Sequence, residues 1–115
     1  MFGHPDIPTV DVDEAATRLD AGALLVDVRD QPEWDEARIP GAVHLPISTI
    51  NDWYADLPSD RDIVFQCHTG GRSGQVVLAL AGQAGMTNVW NLAGGMVAWA
   101  NAGKPVDYDP PAADG

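Results

Sequence analysis

The sequence predicts an α/β protein, a central parallel sheet of about five strands with helices on both faces. Three observations carry this. Short apolar runs recur at Ala23 to Val28, Ile63 to Phe65 and Asn88 to Leu92. The first, broken only by Asp27, and the second are continuous rather than alternating, as strands buried on both faces require. Segments with helical spacing of apolar residues separate them, around Ala15 to Leu19, Ile50 to Leu57 and Val76 to Ala81, and a parallel return needs such a crossover. No internal repeat or wide linker divides the 115 residues, so one domain is expected.

In chain order, Ile7 to Val10 is a short first strand. Asp11 or Asp13 caps a helix, and Asp11-Val12-Asp13-Glu14 has capping-box spacing. Ala15, Ala16 and Leu19 supply its apolar face, and Ala21-Gly22 ends it. Ala23 to Val28 is a central strand broken by Asp27, whose carboxylate at a buried strand end needs loop amides or an arginine as partners. Arg29 follows, with Asp30 and Glu33 as surface partners within reach. Pro32 suits the first turn of a short helix over Pro32 to Ala37, with Trp34 packing from it. Val43 to Leu45 is a short strand in which His44 is a packed or hydrogen-bonded residue.

Ser48 caps a helix over Thr49 to Leu57, with Ile50, Trp53, Tyr54 and Leu57 on one face. Leu57-Pro58-Ser59-Asp60 closes it with a turn. The strand Ile63 to Phe65 leads through a tight loop into the longest helix, capped by Ser73 and ended by Gln83-Ala84-Gly85. Asn88 to Leu92 is the last strand. Gly94-Gly95 opens a short helix carrying Met96, Val97 and a core Trp99, and Lys104-Pro105 leaves the fold. The expected division is an N-terminal extension over 1–8, the domain over 9–106 and a mobile acidic tail over 107–115.

Composition narrows the function. Hydrophobic content of 45% with 20% charged residues fits a soluble globular protein. No apolar run approaches the ~20 residues of a membrane span, and Met1 to Asp6 has neither basic region nor apolar stretch, so no signal peptide is expected. One cysteine excludes an internal disulfide and fits a reducing, cytoplasmic setting. A net charge of −11 argues against nucleic acid and anionic membrane as partners.

That one cysteine, Cys67, stands where the strand Ile63 to Phe65 gives way to the loop, the end at which open α/β sheets place their ligand crevice. A loop curling into a helix turns backbone N–H groups inward. The helix N-terminus adds about half a positive charge, and Arg72 adds a full one. All three favour thiolate over thiol, so Cys67 is expected to be an accessible, largely ionised nucleophile. Gly70 and Gly71 allow the sharp turn.

Cys67-His68-Thr69-Gly70-Gly71-Arg72-Ser73 resembles the C-x-x-G-x-R-S/T active-site loop of the rhodanese family. Leu25-Val26-Asp27-Val28-Arg29, Ile39-Pro40-Gly41-Ala42-Val43-His44-Leu45-Pro46 and Leu92-Ala93-Gly94-Gly95-Met96-Val97-Ala98-Trp99 match that family in order and spacing, over roughly Thr9 to Val106. Ala37-Arg38 stands where members often carry Gly-His, and Arg38 would add positive charge near the site.

The resemblance implies a rhodanese-like fold and sulfurtransferase chemistry. Cys67 would take the outer sulfur of a donor such as thiosulfate, become a persulfide, and pass that sulfur to cyanide or a thiol. It implies Cys67 as the catalytic residue, with His68, Thr69, Gly70, Gly71, Arg72 and Ser73 forming the loop and Arg29 helping to hold a small anionic donor. Neither cofactor nor metal is expected, and the chain is expected to be a monomer. A shallow pocket would admit a thiol protein such as thioredoxin as acceptor. Two other classes stay open: a sulfur-relay or partner-binding module, and a cysteine phosphatase or arsenate reductase. The last use a Cys-x5-Arg loop, whereas four residues separate Cys67 from Arg72, and the shorter cradle crowds a tetrahedral phosphate.

Overall fold

The computed structural model of the chain describes residues 7–108. In order they form β1 (Thr9–Val10), α1 (Val12–Asp20), β2 (Leu24–Asp27), α2 (Gln31–Glu36), β3 (Ala37–Arg38) and β4 (Val43–His44). A 3-10 turn (Ile47–Thr49), α3 (Ile50–Trp53) and a second 3-10 turn (Tyr54–Asp56) follow. Then come β5 (Ile63–Gln66), α4 (Gly71–Gly82), β6 (Val89–Leu92), α5 (Gly95–Asn101) and β7 (Asp107–Tyr108).

Five strands make one sheet in the order β1-β6-β5-β2-β4, and every pairing within it is parallel. Strand β5 lies at its centre, with all four residues buried. Strand periodicity divides the core between two faces. Ile63, Phe65 and Cys67 pack with Val26, Trp53, Val76, Val77 and Leu80 under α3 and α4. Val64 packs on the other face with Ala15, Leu25, Leu92, Met96 and Trp99 under α1 and α5. The sheet has helices on both faces, as expected.

Several boundaries differ from the sequence reading, each for a local reason. Of the two candidate caps, Asp11 is the one used, accepting from the Glu14 N–H at 2.8 Å. The first strand is confined to Thr9–Val10. Helix α2 starts at Gln31 behind Asp30 and stops at Glu36, where Ala37 turns extended (φ −160°, ψ 144°) into β3. The continuous helix expected over Thr49 to Leu57 is broken into three short turns, and Ser48 caps none of them. The Ile47 N–H is bound to the Val28 carbonyl at 3.0 Å. The Pro46 carbonyl accepts from Thr49 Oγ1 at 3.2 Å and Trp53 Nε1 at 3.0 Å. That anchoring to the end of β2 fixes a tight 3-10 start.

Asp107 and Tyr108, expected in a mobile tail, instead form β7, which pairs antiparallel with β3. Once Ala37–Arg38 leaves α2 in extended form it offers an edge that the outgoing chain takes up. Residues 1–6 of the expected extension and 109–115 of the expected tail lie outside the described residues. No helix among the described residues is long and apolar enough to cross a membrane.

Candidate active site

The loop after β5 is built around its carbonyls as much as its amides. The carbonyls of Cys67 and His68 accept from the N–H groups of Met96 (2.8 Å) and Val97 (3.1 Å) at the start of α5. Turned that way, they leave the following amides free to face the sulfur. The Gly70 N–H lies 3.1 Å from Cys67 Sγ, and the backbone N–H groups of Thr69 and Ser73 also bond to it. Gly70 is the N-cap of α4 with φ +102°, a conformation that side chains other than glycine rarely adopt.

Gly71 is the first residue of α4 and has no positive φ, so the turn uses Gly70 alone. Ser73 is not the cap but a buried residue within α4. Its hydroxyl lies 3.4 Å from Cys67 Sγ and 2.6 Å from Asn91 Oδ1. Asn91 Nδ2 in turn donates to the Gly70 carbonyl at 3.3 Å, which ties β6 to the cap of α4.

Cys67 was expected to be accessible, yet it is only 1% exposed. Its sulfur lies beneath the loop rather than at an open surface, because Cys67 falls on the α4 side of the sheet and the loop folds over it. Burial pushes the thiol pKa up. The Ser73 hydroxyl and the N–H groups of Ser73, Gly70 and Thr69 outweigh it, and the thiol ends below its ordinary value.

Both arginines of the site are paired with carboxylates. Arg29 is 3% exposed. Its Nε lies 2.9 Å from both Asp27 carboxylate oxygens and its Nη2 2.7 Å from Asp27 Oδ2, and Nη2 also bonds to the Ala37 carbonyl. Its partner is thus Asp27, not Asp30 or Glu33. Arg72 grips Glu33 with both terminal nitrogens, at 2.7 and 2.9 Å. The hydrogen bond from Arg72 holds the Glu33 carboxyl down at about 2 against the opposing effect of burial. The same bond raises Arg72, whose charge also interacts with Cys67 and Asp30. Arg38 is directed to the end of α2, donating to the Trp34 and Asp35 carbonyls at 2.8 and 3.2 Å.

Beside the loop lies an open cavity of about 420 Å³. His68 joins Glu33, Glu36 and Arg29 in its polar part, and Met96, Val97 and Tyr108 supply apolar wall. Cys67 is not among its lining residues. His44 stays out of the site, stacked on Trp34 at 4.9 Å with its Nε2 2.7 Å from the Arg29 carbonyl oxygen. No group of three or more histidine, cysteine or acidic side chains among the described residues is placed to hold a metal ion.

The sequence reading missed Asn91 and the glycine contact at α5, and it offered Glu33 as a partner for Arg29 rather than Arg72. Asn91 sits in the middle of an apolar strand, and a polar residue there is a signal in itself. Glu33 is 39 residues from Arg72 and pairs with it only through the tertiary fold. Gly95 was read as a helix opener. A Cβ there would strike the Cys67 carbonyl and come within 2.7 Å of the His68 oxygen, so the residue is what lets α5 approach the loop.

Comparison with known proteins agrees with this arrangement. A rhodanese-like domain model matches residues 11–102. The chain is 42% identical over 83 residues to a sulfurtransferase of Allochromatium vinosum, covering 72% of this chain and 77% of that protein. It is 34% identical over 87 residues to the thiosulfate sulfurtransferase GlpE of Pseudomonas savastanoi pv. phaseolicola, covering 76% of this chain and 81% of that one. The solution structure of a rhodanese-like domain from an Anabaena protein, Alr3790, superposes with a TM-score of 0.75 at 28% identity, over 94% of this chain and 87% of its own. The α/β architecture, the Cys67–Ser73 loop and these likenesses agree: the chain belongs to the rhodanese-like domain family.

Proposed function

We propose that this protein is a sulfurtransferase that carries sulfane sulfur on Cys67. The observation that carries the reading is the ring of donors around one thiol: three backbone N–H groups and the Ser73 hydroxyl. Such a ring stabilises negative charge on sulfur before and after transfer. The Cys67 thiolate attacks the outer sulfur of thiosulfate, the sulfur–sulfur bond of the donor breaks, and sulfite leaves with the bonding electrons. The persulfide anion keeps one negative charge in the same ring. A thiophilic acceptor then takes the outer sulfur: cyanide leaves as thiocyanate and the thiolate is restored. The Ser73 hydroxyl and the loop amides lower the thiol's pKa and so favour the thiolate, which lessens the need for a separate general base.

The 1% exposure of Cys67 favours a narrow donor or acceptor reaching the sulfur end-on. It weighs against the open pocket that a thiol protein such as thioredoxin would need, and so against the relay reading. Phosphatase or arsenate-reductase chemistry is disfavoured further, since the loop arginine is already occupied by Glu33. The test is intact-mass measurement after exposure to thiosulfate. The expected result is a gain of one sulfur atom, removed by cyanide and lost in Cys67→Ser. An unchanged mass under conditions where Cys67 alkylates readily would overturn the reading.

A further inference from the structure

A donor such as thiosulfate brings two negative charges to a chain with a net charge of −11. The site offers it little cationic welcome. Arg29 is consumed by Asp27 in a buried pair with side chains 4% and 0% exposed. Arg72 is consumed by Glu33 in a pair that remains a third exposed on each side, at 33% and 34%. Glu33 also lines the cavity beside the loop together with Glu36. With Arg72 partly neutralised by Glu33, the positive field at the sulfur comes largely from backbone amides, which one charge on sulfur satisfies.

We propose that Glu33 sets the charge class of the sulfur donor: by occupying Arg72 bidentately, it makes the site favour a sulfane donor with one negative charge over a dianion. This rests on the sulfurtransferase reading and names its donor class. Glu33 acts through Arg72 and is a positioning residue, not a catalytic one. A dianion approaching the loop must either compete with Glu33 for the guanidinium or sit beside its carboxylate. A monoanion meets half the repulsion and still has the amide ring for its transferred sulfur. Because the pair is solvent-accessible, the effect is that of a partly screened charge, about fivefold in rate.

The test compares thiosulfate with methanethiosulfonate, a monoanion in which the same kind of sulfur–sulfur bond breaks and methanesulfinate leaves. Loading of Cys67 by each donor is timed by intact mass on the full chain. Their intrinsic reactivities differ, so the diagnostic quantity is the change in their ratio between proteins. Glu33→Gln is expected to raise the thiosulfate-to-methanethiosulfonate ratio about fivefold at low ionic strength, and added salt is expected to shrink that change. Glu33→Asp, which keeps the charge, is expected to leave the ratio near wild type. A purely structural role would slow both donors together. Glu33→Ala provides a second removal of charge should Glu33→Gln fail to fold. Loading by both donors with an unchanged ratio overturns the inference. Loading by neither donor in any of these proteins overturns the sulfurtransferase reading itself, and the inference with it.

Discussion

Ser73 Oγ stands 2.6 Å from Asn91 Oδ1, nearer than its 3.4 Å to the Cys67 sulfur. A hydroxyl has one proton to give. Asn91 cannot exchange its oxygen for its nitrogen, because Nδ2 is committed to the Gly70 carbonyl. The two acceptors therefore compete. With a neutral thiol the proton belongs to Asn91. Once the sulfur is ionised, the charge-assisted bond is the stronger one and draws the hydroxyl over.

Ser73→Ala removes this donor and leaves the three amides. The Cys67 thiol is expected to titrate higher, and alkylation by iodoacetamide at pH 7 to slow by about fivefold, the worth of one net hydrogen bond. The change also strands a buried Asn91 oxygen, so thermal stability is expected to fall by about 1–3 kcal/mol. An alkylation profile that superimposes on wild type would remove Ser73 from the account of sulfur ionisation.

Two glycines of the site should respond oppositely to alanine. Gly95 has φ +57°, and its missing Cβ is where the His68 carbonyl carbon and oxygen lie at 2.8 and 2.7 Å. Gly95→Ala is expected to push α5 off the loop, costing about 2 kcal/mol or more and most of the sulfur transfer. Gly71 has no positive φ and nothing within 4 Å of its absent Cβ. Gly71→Ala is expected to be neutral or to stabilise by up to about 1 kcal/mol. Denaturant unfolding of the two variants decides this, and equal losses would refute it.

The side-chain amide of Gln66 is fully buried and has no hydrogen-bond partner among the described residues. It lies in β5 opposite Asp27, one residue before Cys67. Gln66→Met keeps the length and removes the unpaired polar atoms. It is expected to stabilise the fold by about 1–2 kcal/mol, seen as a higher melting temperature. A lower melting temperature would mean that the amide has a partner that the apolar variant cannot replace.

The sheet was legible because continuous apolar runs such as Ile63 to Phe65 have no other good use than a buried parallel strand. The loop was legible because Cys67 and Arg72 are close in sequence and Gly70 marks the turn. What stayed hidden depends on distance along the chain. Asp27 and Arg29 are two residues apart, and Asp27 was expected to find loop amides or an arginine, but which arginine was left open; Arg29 supplies both its backbone N–H and its guanidinium. Glu33 and Arg72 come together only through the sheet, so Arg72 read as an available charge. Ser73 looked like a cap because a serine just after glycines usually is one. Here Gly70 already closes the turn, which moves Ser73 into the first turn of α4 and under the sulfur. The break of the helix at Ile47–Asp56 depended on the Pro46 carbonyl, whose partners no local pattern reveals.

The Glu33–Arg72 pair makes a signed prediction with pH. Glu33 ionises at about 2 in the folded chain, against 4.5 without the pairing. A carboxyl lowered in this way lends stability that is fully present above 4.5 and is lost as pH falls toward 2. The pair should therefore be intact throughout neutral and mildly acidic solution. Wild type is expected to be more stable than Glu33→Gln at pH 7, and the difference to hold down to the upper edge of that window. Below it the two stabilities should converge, because the native carboxyl is then also uncharged. Denaturant unfolding of both proteins between pH 7 and pH 2 checks the sign. A gap that widened on acidification would mean that Glu33 is stabilised in its protonated form, and Arg72 would then be available to a donor after all.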